Sequence, residues 1–216
     1  MIDNRYIAVE GVIGVGKTSL ARMLAERFQA RLVLEEVEEN PFLKDFYRDR
    51  GQFAFQAQMH FLFSRYQQQR SLRQMDLFSE RMVADYLFQK DRIFAALNLS
   101  ERELALYERM VGWLELDVMK PDVVVYLQAG TDRLMDRISR RGRPYERDIE
   151  RGYLNALNEA YNHFFFHYTG APLLVVDTNA IDFVNNSEDF EDLLNRIRSH
   201  RQGTTYYRPV EREEAP

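Results

Sequence analysis

The sequence Gly11-Val12-Ile13-Gly14-Val15-Gly16-Lys17-Thr18 satisfies the spacing G-x-x-x-x-G-K-[ST]. Each fixed position has a chemical reason. Glycines let backbone N–H groups approach phosphate oxygens, the lysine reaches the β and γ phosphates, and the threonine hydroxyl ligates magnesium. Such a loop binds a nucleoside triphosphate, but alone it does not say whether a phosphate is hydrolysed, transferred or only sensed. Further residues bear chemistry of other kinds. The run Leu34-Glu35-Glu36-Val37-Glu38-Glu39-Asn40-Pro41 offers carboxylates, one of which could accept a proton, although acidic runs are often solvated loops. Gln58 and Arg65 are spaced to share one helix face, among aromatics able to stack on a base or simply to form core. Asp85 closes an apolar run, where a magnesium-organising carboxylate or a helix cap would lie. Arg137, Arg140, Arg141 and Arg143 surround Gly142, which suits a helix C-terminus or a cationic lid that closes on a transferring phosphoryl group.

Positioning these groups requires a scaffold, and the hydrophobic pattern supplies one. Short apolar runs at Tyr6 to Glu10, Leu32 to Glu35, Met82 to Asp85, Val123 to Leu127 and Leu173 to Asp177 alternate with helix-period segments. That alternation predicts an α/β fold with a parallel sheet of five strands covered by helices on both faces. The phosphate loop would then follow the first strand and open a helix from Ser19 to Phe28, the context its chemistry needs. A long helical segment is expected over Pro41 to Gln74 and another over Glu101 to Lys120. Thr131 is a candidate N-cap for a helix ending near Arg141, with Gly142 as its stop. One domain over residues 1–200, with a lid at about 137–150, accommodates everything, and the polar residues 201–216 read as a flexible tail.

Composition removes several classes of function. Among 216 residues there is no cysteine, so disulfide scaffolds, thiolate zinc sites and cysteine nucleophiles are excluded. A formal charge of −5 makes long nucleic acid a poor partner. No apolar stretch approaches the roughly 18 residues of a membrane span, and Asp3 precedes any apolar run, so a cytoplasmic location is expected.

Taken in order, these motifs resemble the deoxynucleoside kinase family, particularly its bacterial deoxyadenosine and deoxyguanosine kinases and more distantly thymidine and thymidylate kinases. The likeness runs from Arg5 to about Asp182. It rests on the phosphate loop, an E-x-V-x-x-N stretch at Glu35, a pattern through Tyr47, Phe53, Phe55, Gln58 and Arg65, a third segment with Asp85, Asp91 and Phe94-Ala95, and the lid sequence Arg141-Gly142-Arg143-Pro144-Tyr145-Glu146. The resemblance implies a P-loop kinase fold that moves a phosphoryl group from ATP, with Mg2+, to the 5′-hydroxyl of a deoxynucleoside, and a homodimer in which Trp113 is a candidate surface residue. It assigns the loop with Ser19, Arg137 and Arg141 to ATP, and Thr18 and Asp85 to the metal. Glu35 becomes the general base, with Glu36 the near alternative. Tyr47 and Glu146 would hold the 3′-hydroxyl, and Gln58, Arg65 and Asp91 the base, with Gln56 a neighbour easily mistaken for Gln58. The Asp177 to Phe183 loop would wrap the adenine of ATP. A purine deoxynucleoside is the expected acceptor. In one place the sequence departs from the family, with Tyr86 standing where an arginine is usual; Lys90 and Arg81 are the nearby cations that could replace it.

Two other readings fit part of the pattern. A thymidylate-type nucleoside monophosphate kinase shares the loop, sheet and lid, and Arg65, Arg81 and Arg92 could bind its acceptor phosphate, but the Glu35 to Glu39 run opposes a doubly charged acceptor. A nucleotide-sensing or partner subunit with little catalysis would suit the Tyr86 departure. His163 and His167, four apart amid aromatics, read as packed residues rather than a metal pair.

Overall fold

The structure, a computed structural model, describes residues 4–75 and 81–208. Six parallel strands form one sheet in the order β2-β3-β1-β4-β5-β6. They are β1 (Tyr6–Gly11), β2 (Arg31–Val33), β3 (Met82–Ala84), β4 (Val123–Gln128), β5 (Leu173–Asp177) and β6 (Thr204–Tyr207). The central strands are almost wholly buried, as unbroken runs such as Val123-Val124-Val125 require. The expected count of five strands is corrected to six. The sixth pairs with β5 from Leu173↔Thr204 to Val176↔Tyr207 and lies within the segment read as a tail. Three of its four residues are exposed, so this edge strand carries no apolar run to announce it. Residues 209–216 of that segment lie outside the described residues.

Eight helices surround the sheet among the described residues: α1 (Lys17–Phe28), α2 (Leu43–Arg48), α3 (Arg50–Met75), α4 (Asp91–Asn98), α5 (Glu101–Leu114), α6 (Thr131–Arg141), α7 (Arg151–Phe166) and α8 (Ser187–Ser199). The segment read as one long helix from Pro41 is two, broken at Asp49, whose φ of −144° is extended rather than helical. Thr131 is the first residue of α6 and Gly130 its N-cap, which corrects the expected cap by one position; Gly142 closes the helix at φ 66° as anticipated. A capping box between Ser100 and Glu103 starts α5. Leu20, Leu24, Leu134, Leu154 and Leu157, all fully buried, pack helices onto the sheet. A smaller cluster of Leu62, Phe88, Ala95, Tyr107 and Val111 joins α3, α4 and α5. This second core matters functionally, because it fixes α3 and α4 beside the carboxyl ends of β1, β2 and β3, where open α/β sheets bind ligands.

Candidate active site

The phosphate loop leaves β1 and enters α1 through Gly16, whose φ of 108° is a left-handed conformation. No side chain caps α1, so the N–H groups of its first turn are left to a ligand. Lys17 folds back over the loop, its Nζ donating to the carbonyls of Gly11 at 2.7 Å and Val12 at 3.3 Å. Burial pulls its ammonium below the usual lysine range, Lys90 adds to that, and the Glu10, Glu35 and Asp85 carboxylates oppose it. Thr18 Oγ1 donates to Asp85 Oδ2 at 2.6 Å, while Asp85 Oδ1 accepts from the Glu35 backbone N–H at 2.7 Å. Asp85 thereby ties the phosphate loop to the acidic segment. Ile13, Gly14, Lys17 and Thr18 reach the cavity, whereas Val12 and Val15 are buried in the core.

That cavity measures about 440 Å³ and lies between the loop, the acidic segment, α3 and the lid. Glu35 forms part of its wall, with both carboxylate oxygens engaged. Arg65 donates to Oε1 through Nε at 3.0 Å and through an NH2 proton at 2.6 Å; Lys90 Nζ donates to Oε2 at 2.6 Å. Burial alone would raise the Glu35 pKa, but Lys90 and Arg65 together hold it well below the usual carboxylate range. Arg65 also pairs with Asp91, which accepts from the Tyr107 hydroxyl at 2.8 Å. Lys90, Glu35, Arg65 and Asp91 thus form a chain of alternating charges with no net charge. Gln58 is buried and donates to the Asp91 carbonyl at 2.9 Å.

Most residues singled out by sequence therefore converge. Tyr47, Gln58, Arg65, Glu35 and Glu146 line the cavity. Asp91 does not; it stands behind Arg65, so it would act on a base only by orienting that guanidinium. Glu36, the alternative base, also lines the cavity but is exposed, and its two oxygens accept only long hydrogen bonds of 3.4 Å from Ser64 and Gln68 of α3; Gln56 is exposed and outside the cavity. In the lid, Arg141 makes a two-pronged pair with buried Glu146, at 3.1 and 2.5 Å. Arg137 lies outside the cavity wall, donating to the Val15 carbonyl at 3.0 Å and to Thr178, and burial lowers its pKa. It joins the phosphate loop to the Asp177 to Phe183 segment, whose Phe183 ring lies against Gly16.

Sequence reasoning missed Glu10. Fully buried, it accepts from the Gly11 N–H at 2.8 Å, the Leu87 N–H at 2.8 Å and the Tyr161 hydroxyl at 3.2 Å. An acid inside an otherwise apolar central strand was the available signal, since such a charge must be satisfied. Tyr86 is likewise fully buried and receives a hydrogen bond from Gln69 Nε2 at 3.2 Å, away from the cavity. Arg81, one of its two suggested replacements, donates to the Phe28 carbonyl at the other end of the sheet; Lys90, the second, is in the site. His163 and His167 are exposed rather than packed, their ring centroids 4.7 Å apart. No group of three or more metal-ligating side chains occurs among the described residues.

A nucleoside-triphosphate loop, a mostly buried carboxylate sharing one cavity with it, and lid arginines in the cavity wall define the class of P-loop phosphotransferases. The family model for deoxynucleoside kinases matches residues 7–201, and the chain belongs to that family of enzymes. It is 38% identical over 202 residues to the deoxyguanosine kinase of Bacillus subtilis (strain 168), covering 90% of this chain and 95% of that one. It is 29% identical to the deoxyadenosine/deoxycytidine kinase of the same organism, covering 91% and 93%. A structure of deoxyadenosine kinase from M. mycoides with bound dATP superposes with a TM-score of 0.78 at 27% identity, covering 90% of this chain and all of the other. No helix among the described residues is long and apolar enough to cross a membrane.

Proposed function

We propose that this kinase transfers the γ-phosphoryl group of ATP to the 5′-hydroxyl of a purine deoxynucleoside, deoxyguanosine or deoxyadenosine, as a cytoplasmic salvage enzyme. The carrying observation is that Glu35 shares one cavity with Lys17 and Thr18, which brings a proton acceptor and a phosphate-binding loop to the same space. The 38% identity to a deoxyguanosine kinase supports the purine acceptor. Thr18 Oγ1 and Asp85 Oδ2 are adjacent hard oxygen donors, the kind magnesium prefers, and these two residues would hold it. When bound, the ion would neutralise charge on the β and γ phosphates.

In this reading the remaining lone pair of Glu35 Oε2 accepts a hydrogen bond from the 5′-hydroxyl and aims its oxygen at the γ-phosphorus. The new O–P bond forms as the bond to the β-phosphate oxygen breaks, and the hydroxyl proton passes to Glu35. A carboxylate held strongly ionised by two cations is a weak base, so the proton moves late, after bond formation is under way. Lys17 and the lid residue Arg141 stabilise the charge on the transferring group. Tyr47 and Glu146 hold the sugar, and Gln58 and Arg65 face the base. The family resemblance and the exposure of Trp113, at 71%, support a homodimer that buries α5, which sedimentation would test.

The reading is tested by incubating the protein with ATP and Mg2+ against each deoxynucleoside and each deoxynucleoside monophosphate, with products separated by chromatography. Formation of dGMP or dAMP is the expected outcome. Turnover of monophosphates alone would replace it with a nucleotide kinase, and turnover of pyrimidines alone would overturn the purine assignment. Glu35→Gln is expected to lower kcat by about 10²-fold with nucleoside binding nearly unchanged.

A further inference from the structure

Lys90 is only 3% exposed, yet it is one of the residues lining the cavity. A buried lysine normally needs its charge paired and its remaining donors hydrogen-bonded. Here Nζ has one protein acceptor among the described residues, Glu35 Oε2 at 2.6 Å, together with the Phe94 ring centroid 6.0 Å away. An ammonium carries three donors, so two N–H groups have no protein acceptor among the described residues. The side chain is also held in place. The Lys90 N–H donates to the Leu87 carbonyl at 3.1 Å, closing the turn Phe88–Lys90, and Leu87 N–H is anchored on Glu10. Because Glu10 also accepts from Gly11 N–H, one buried carboxylate sets the turn bearing Lys90 relative to the loop bearing Lys17. Both lysines line the same cavity.

We propose that Lys90 is a second active-site lysine, which fixes the Glu35 carboxylate and presents positive charge to the acceptor oxygen and the transferring phosphoryl group. The assignment rests on the kinase reading above, and it explains how the site tolerates a tyrosine at position 86. With Tyr86 fully buried and bonded to Gln69, Glu35 would otherwise have, among the described residues, only Arg65 paired with its carboxylate, and both contacts of Arg65 are to Oε1 rather than to Oε2, where Lys90 donates. Two cations on different oxygens prevent the carboxylate from rotating; one of them, Lys90, still has protons to give.

The experiment compares the whole protein with Lys90→Met, Lys90→Gln and Lys90→Arg. It measures kcat and KM for deoxyguanosine and deoxyadenosine with ATP and Mg2+, the pH–rate profile, and the titration of the Glu35 carboxyl by 13C NMR. Circular dichroism reports folding, and Lys90→Gln, which keeps a donor at the position, guards against collapse of the methionine variant. The expected result is a loss of about 10²-fold in kcat for Met and Gln with KM within about threefold. The acid limb of the pH–rate profile and the Glu35 titration should both move to higher pH, and arginine should recover most of the rate. A kcat within about threefold of the parent in a folded Met or Gln variant would overturn the proposal. So would a rate loss with the Glu35 titration unmoved, since that is what a merely structural lysine would give. Should the parent protein phosphorylate no deoxynucleoside, the functional reading fails by itself; the carboxyl titration, which needs no turnover, then decides whether Lys90 governs Glu35.

Discussion

The two sides of the cavity are built by different means. The phosphate side is backbone: one continuous loop, a glycine at positive φ and the start of a helix, with Lys17 satisfied by carbonyls of its own loop. The acceptor side is a buried chain of charged side chains drawn from the segment after β2, from α3, from the turn after β3 and from the start of α4. A backbone site depends on conformation, so damage to it should be local. A charge chain depends on balance, so removing one member leaves its neighbour short of a partner in a poorly solvated place.

The largest effect is expected where that balance is broken furthest from the chemistry. Asp91→Ala removes the outer carboxylate of Arg65 and the acceptor of Tyr107, leaving a buried guanidinium with only Glu35. A loss of about 3–5 kcal/mol in unfolding free energy is expected, read from urea denaturation. Asp91→Asn, which still accepts from Tyr107, should lose less. If both variants unfold like the parent, the chain of charges contributes nothing to the fold and the contrast between the two sides collapses.

Acid should expose the same asymmetry with a smaller effect. The folded pKa of Glu35 is depressed below its ordinary value of 4.5, first against burial and then through Lys90 and Arg65. Its contribution is therefore complete above pH 4.5 and is lost as pH falls from there toward the folded value. A decrease on the order of 2 kcal/mol between pH 5 and pH 3 is expected from this group. Comparing the pH dependence of the parent with that of Glu35→Gln isolates it: the difference between the two curves should shrink on acidification, and parallel curves would break the argument.

On the phosphate side, Gly16→Ala is expected to cost about 1–2 kcal/mol. It places a β-carbon at φ 108° and 3.2 Å from the Phe183 ring, while leaving the acceptor-side charges untouched. The thermal midpoint should fall by a few degrees, and the Glu35 carboxyl should titrate as in the parent. A shifted titration would show that the two sides are mechanically coupled.

The same difference governs how much could be read from the sequence. The phosphate loop was legible because its chemistry is contiguous, and the first five strands and the Gly142 stop were legible because apolar runs and a left-handed glycine announce themselves. The shared helix face of Gln58 and Arg65 was legible from their spacing, but that spacing suited core as well, and only the family resemblance gave the two residues a role. The sixth strand was not legible, because Thr204–Tyr207 is an exposed edge with no apolar pattern. Nor was the break at Asp49, where helix-compatible residues continue on both sides. The partners of Arg65 were unreadable for a stronger reason: Glu35 and Asp91 lie 30 and 26 residues away, and only the packing of α3 against both α4 and the segment after β2 brings all three together.

The smallest effect sharpens the contrast inside the acceptor side itself. Tyr86 and Lys90 are four residues apart, both buried, but their polar atoms face different surroundings: Gln69 for the hydroxyl, Glu35 for the ammonium. Tyr86→Phe removes one neutral hydrogen bond and leaves Gln69 Nε2 its bond to Tyr6 at 3.3 Å, so a cost of about 1 kcal/mol or less is expected. The Tyr6 hydroxyl, pushed up to about 12 by burial, remains protonated and keeps that bond across the physiological range. Turnover by Tyr86→Phe should equal that of the parent. A fall in kcat without loss of stability would mean that the hydroxyl acts on the chemistry through Gln69. Unchanged turnover beside an impaired Lys90→Gln would place the cationic function of this segment at position 90.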